Sequence, residues 1–218
     1  MNEQSVNSCA GSVNRRVPTR KERERLARRA EILAVARELF AEKGFHNVSM
    51  QEVAARSEFS TGSLYAFFEN KDALYHDMML DLTDDFHQRI ALALDEAEDE
   101  LAGLRAYLAA KAERFQQNAG LLRLYFKESG GLSASIREDL REEMCTRHNR
   151  LIERLGAIFQ SGIQRGVFQP VAHPRMLALA LVSLSTAVQL DGFGIGPDDT
   201  IPKDPDSVLN VLFKGLLA

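Results

Sequence analysis

Residues 49–75 of this 218-residue chain, SMQEVAARSEFSTGSLYAFFENKDALY, limit its fold more than any other stretch. Three helix-start signals fall close together within it. Ser49 followed by Glu52 has the form of a capping box, with Val48 and Val53 at the positions of a hydrophobic staple. Ser60 caps a second short helix, with Phe59 and Leu64 at the staple positions, and Asn70 caps a third just after Glu69. The pattern predicts two helices of about seven to nine residues joined by a turn of about three, a helix-turn-helix. Such helices are too short to hold together in water without support. Residues 26–43 supply the support, with Ile32, Leu33, Ala36, Leu39 and Phe40 on one apolar stripe. Gly44 follows where a helix commonly ends in a left-handed residue, and Phe45 is placed to fold back. A three-helix head results, although spacing alone is also compatible with an ordinary helical core.

The make-up of the second short helix favours a nucleic-acid surface. Thr61, Gly62 and Ser63 occupy its first turn, small and polar as a face pressed against base edges and phosphates must be. Tyr65 and Lys71 follow as phosphate-sized donors, with Lys71 at a helix start. Tyr65 competes with Phe67 and Phe68 for a place in the core, and the two phenylalanines suit it better. Together VSMQEVAARSEFSTGSLYAFFENKDALY and the helix before it resemble the DNA-binding signature of the TetR family of transcription regulators, through Leu74. One position departs from the family pattern: Glu58 stands in the turn where glycine is usual. A positive φ there would cost about 1 kcal/mol. The expected DNA-contacting residues are Arg28, Ser49, Ser60, Thr61, Gly62, Ser63, Tyr65 and Lys71.

Charge divides the chain in the same place. Residues 1–71 hold 12 Lys and Arg against 9 Asp and Glu, whereas the remainder holds 15 against 22, within a total of −4. Arg15, Arg16, Arg20, Lys21, Arg23, Arg25, Arg28 and Arg29 make residues 1–30 basic. Residues 1–22 read as a disordered basic arm that either follows the DNA backbone or remains a solvated tail. Residues 72–103 carry ten acidic side chains and should keep away from phosphate. Overall acidity does not oppose DNA binding, because only the local field meets the duplex.

After the head (residues 23–70), residues 71–218 read as a second, larger all-α unit. Helices are expected at 71–96, 100–117, 119–129, 135–165, 173–192 and 205–217, giving an all-α chain with a six-helix body. Ser135 with Glu138 suggests a capping box for the longest. The helices near 173–192 and 205–217 are apolar nearly all round, with Leu177, Leu181, Leu184 and Val188 on one side of the first. Apolar helices of this kind mark an interface, and the resemblance implies a homodimer paired through a four-helix bundle.

The resemblance further implies a small-molecule pocket in the body and a helix from Lys71 that couples it to the head. Candidate lining residues are Tyr107, Phe115, Leu122, Phe126, His148 and Gln189, each of which also suits plain core. Their character suggests a small apolar or amphipathic effector. Arg123 and Lys127 lie one helical turn apart, a spacing that fits a carboxylate or a solvated face equally.

Other functions lack support. The five histidines are scattered without metal-ligand spacing, and no nucleophile elbow or phosphate loop occurs, so neither enzyme activity nor a metal or cofactor is expected. Asp84 and His87 are helix neighbours on an acidic surface rather than a metal site. Cys9 and Cys145 make no disulfide framework, and Cys145 reads as an idle or packed thiol. No signal peptide or membrane span is visible, so a cytoplasmic protein is expected. The reading is a ligand-responsive transcription regulator, most simply a repressor, with double-stranded operator DNA, an effector and a second copy as partners. An interaction protein that keeps the head but acts through a protein partner is the alternative.

Overall fold

The computed structural model describes residues 19–120, 134–190 and 204–214, and eight helices lie among them. The head consists of α1 (Arg20–Lys43), α2 (Met50–Arg56) and α3 (Thr61–Tyr65). The body follows as α4 (Lys71–Asp95), α5 (Glu100–Gln117), α6 (Ala134–Gln164), α7 (Pro174–Leu190) and α8 (Pro205–Phe213). The expected helix over 119–129 lies almost wholly outside the described residues, as do the tail through residue 18 and the loop over 191–203.

The helix α1 starts earlier than its apolar stripe announces. Thr19 and Glu22 form a full capping box, so Arg20 and Lys21 stand on a regular helix rather than in a disordered arm. The stripe detects only where a helix is buried, and this first turn and a half is exposed. At the other end Gly44 has φ 79° and ψ 164°, a region open to glycine alone rather than the left-handed helical one. Its N–H still closes on the Phe40 carbonyl at 2.9 Å.

Ser49 and Ser60 cap α2 and α3 by accepting from the N–H groups of Glu52 and Ser63. Only half of the Ser49 capping box forms, because the Glu52 carboxylate pairs with Lys43. The second helix is shorter than its pattern suggests, five residues rather than seven to nine. Beyond Tyr65 the chain tightens, and Phe67 N–H donates to the Leu64 carbonyl at 3.0 Å. Glu58 does take a positive φ, 60°, and is the one non-glycine residue to do so among the described residues.

Two apolar cores are strung on α4, which at ~1.5 Å per residue is roughly 37 Å long. Its first half joins the head core: Leu74, Tyr75, Met78, Met79 and Leu82 pack with Ile32, Phe40, Val53 and Leu64. Its second half reaches Ile90 in the body core, with Leu104, Tyr107, Ile152, Leu155, Phe159 and Leu181. The acidic face expected to be mere surface on α4 is instead a set of rungs. Asp77 meets Arg29 at 2.7 Å and Asp81 meets Arg37 at 3.2 Å, both from α1; Asp84 meets Arg147 of α6 at 2.6 Å. Asp85 meets Arg114 of α5 at 2.9 Å, and the same guanidinium donates to the Leu82 carbonyl.

The helices α7 and α8 divide their apolar residues between an inward and an outward face. Leu177, Leu181 and Val188 of α7 are buried in the protein's own core, with Leu184 packed against it. The outward stripe is Met176, Leu179, Ser183 and Ala187, and Val211 projects from α8. Among the described residues no helix is long and apolar enough to cross a membrane.

Candidate DNA-reading surface and ligand cavity

The outer face of α3 is made by its backbone as much as by its side chains. Leu64 is fully buried and anchors the helix, while Gly62, Ser63 and Tyr65 are exposed and Thr61 is half-buried. A Cβ placed on Gly62 would meet nothing within 4 Å. Packing among the described residues therefore gives no reason for glycine here. Ser60 and Ser63 face each other, their hydroxyls 2.8 Å apart. Phe68 is buried and Phe67 half-buried, which leaves Tyr65, 48% exposed, as the outward aromatic. Ser49 and Arg28 are exposed on the same three-helix unit.

Lys71 departs from the expectation of a free phosphate donor. Its ammonium donates to the Phe45 carbonyl at 2.8 Å and the Val48 carbonyl at 3.0 Å, and lies 4.4 Å from the centre of the Phe45 ring. The side chain thus clamps the loop between α1 and α2. The sequence signal, lysine beside a helix start, marks an anion site and a loop clamp alike.

A cavity of about 350 Å³ lies between α4, α5, α6 and α7. Of the expected lining residues, Tyr107, Phe115 and His148 do line it; Gln189 is buried outside it, and Leu122 and Phe126 lie outside the described residues. Met79, Leu82, Phe86, Met144 and Leu151 supply most of the apolar wall. Sequence reasoning missed its polar members, chiefly His87, Lys111, Arg114 and Asn118.

Lys111 is the unusual one. It is 4% exposed, and its ammonium donates to the Val182 carbonyl at 2.9 Å, Ser185 Oγ at 2.8 Å and Thr186 Oγ1 at 2.7 Å. Burial without a carboxylate lowers its pKa to about 7. Tyr107 beside it is fully buried, and its hydroxyl has no hydrogen-bond partner among the described residues; Ser185 lies near without completing one. Burial raises the Tyr107 pKa and lowers those of His87 and His148, with the Lys111 charge also acting on His148. His148 is exposed at the rim. The His87 imidazole meets the Thr83 carbonyl at 2.8 Å, whereas Asp84 turns away to Arg147. Cys145 is an exposed free thiol.

A capped two-helix unit with an open, small-residue first turn, held by a third helix, defines a DNA-binding helix-turn-helix protein. Residues 32–78 match the pattern of the bacterial regulatory proteins of the tetR family. The repressor KstR2 of Mycolicibacterium smegmatis is 27% identical over 144 residues, 66% of this chain and 69% of the relative. The activator FasR of the same organism is 27% identical over 179 residues, 81% of this chain and 76% of the relative. The fold is that of FadR from Bacillus subtilis, solved with stearoyl-CoA: TM-score 0.69, 18% identity, covering 86% of this chain and 98% of that one. Residues 32–78 thus carry the DNA-binding pattern of that family, and the described residues share the fold of its solved members.

Proposed function

We propose that the protein is a ligand-responsive repressor that binds a palindromic operator as a homodimer and releases it when a small apolar or amphipathic inducer enters the body. The observation that carries this reading is the double membership of Met79 and Leu82. Both belong to the head core and both line the cavity. A ligand that moves α4 at that level moves the packing behind α2 and α3, and the rungs from Asp77 and Asp81 to α1 transmit the shift. DNA contacts fall to Thr61, Gly62, Ser63 and Tyr65 on α3, with Ser49, Ser60 and Arg28 beside them.

Dimerisation rests on the outward stripe of α7 with Val211, 76% exposed on α8, an apolar surface of the sort an interface covers. A two-fold axis there sets the two α3 helices on successive major-groove faces of one operator. Repression is preferred to activation because ligand entry at Met79 and Leu82 disturbs packing that the head requires. A neighbour solved with an acyl-CoA supports an amphipathic effector.

The test is retention of random duplexes by the purified protein at ~150 mM salt, followed by sequencing of the retained fraction. A palindrome with half-sites about 10 bp apart is the expected result. Retention without sequence preference, or none, would point instead to an interaction protein that has kept the head.

A further inference from the structure

The cavity contains an uncompensated charge and an unused donor. Among the described residues no carboxylate lines it. Lys111 has three hydrogen-bond acceptors but no counter-ion among the described residues, and the Tyr107 ring lies 5.7 Å from its ammonium. The Tyr107 hydroxyl, fully buried in the same wall, donates to nothing among the described residues. A buried lysine adds nothing to an apolar core that leucine or methionine would not supply at lower cost. Both features are explained by one missing group, an anionic acceptor delivered by a ligand.

We propose that the cavity takes a compact amphiphilic acid whose carboxylate seats between Lys111 Nζ and the Tyr107 hydroxyl, with its tail against Met79, Phe86, Met144 and Leu151. This rests on the reading of the cavity as the effector site and names the ligand class. The carboxylate replaces Thr186 as one of the three partners of Lys111. Thr186 keeps its own donation to the Val182 carbonyl at 2.7 Å, so no group is left unsatisfied. At ~30 Å³ per water-sized group the cavity holds roughly a dozen heavy atoms, which sets the size of the acid.

The test is calorimetric titration of the full-length protein with decanoate and with decanamide, equal in heavy atoms and differing in charge. The same titrations are made on Lys111→Met and Tyr107→Phe, each checked for folding by circular dichroism. Decanoate is expected to bind at least tenfold more tightly than decanamide. Lys111→Met should abolish that preference while leaving decanamide affinity within about twofold, and Tyr107→Phe should weaken decanoate alone. Equal binding of acid and amide to the unaltered protein would overturn the carboxylate seat and leave the effector reading standing. Binding of neither, with hexanoate and dodecanoate also inactive, would overturn both.

Discussion

Lys71 Nζ lies 3.0 Å from the carbonyl of Val48, the residue just before the N-cap of α2. A side chain at the first position of α4 therefore fixes how the chain enters the helix-turn-helix. The same ammonium holds the Phe45 carbonyl and covers the Phe45 ring, whose neighbours Phe40 and Tyr75 bring α1 and α4 together. Lys71→Ala is expected to destabilise the free protein by about 1–3 kcal/mol, since two partly buried carbonyls lose their donor. Thermal unfolding without DNA measures it. An unchanged midpoint would mean that water replaces the ammonium freely.

Glu58 at φ 60° stores strain in the turn that glycine would remove. Glu58→Gly is expected to stabilise the protein by about 1 kcal/mol. The change should appear as a higher urea midpoint with an unaltered slope.

Lys111 has the opposite character, a residue that costs stability where it sits. Replacement by Met leaves the Ser185 and Thr186 hydroxyls donating to the Val182 carbonyl, at 3.0 and 2.7 Å, so neither hydroxyl is orphaned by the change. Lys111→Met should stabilise the ligand-free protein by roughly 1–4 kcal/mol at pH 7. The sign of the pH dependence follows from a folded pKa of about 7 against 10.5 unfolded. Between these values the unfolded chain holds a proton that the folded one does not, so the wild-type protein gains stability as pH rises from 7 towards 9.5. The advantage of Lys111→Met should shrink across that window. The neighbouring groups leave it clear: Tyr107 titrates above it, His87 and His148 below it, and Arg114 stays charged. Urea unfolding of both proteins at pH 7, 8 and 9 checks the trend.

The head was legible in the sequence because its signals are local. Ser49, Ser60 and Asn70 each cap within three residues of themselves, and Ile32 to Phe40 mark the buried face of one helix. What escaped was set by distant contacts. Whether Lys71 faces phosphate or Val48 depends on a loop twenty-three residues back, and Lys111 finds its acceptors seventy residues on in α7. The start of α1 was missed because an exposed turn carries no apolar period, only the Thr19 and Glu22 box. Which side of the helix carrying Leu177, Leu181 and Val188 turns inward stayed open, because a helix apolar on several faces does not tell it.

If the open face of α3 serves DNA, replacement of Gly62 is the change that reveals it. A Cβ there meets nothing within the protein, and leucine is a better helix former than glycine, so Gly62→Leu should fold with equal or greater stability. Its affinity for the duplex recovered from the random pool should fall at least tenfold, because the added side chain occupies the space the groove requires. A stable Gly62→Leu protein that binds that duplex as tightly as the unaltered one would mean that this face of α3 does not enter the groove.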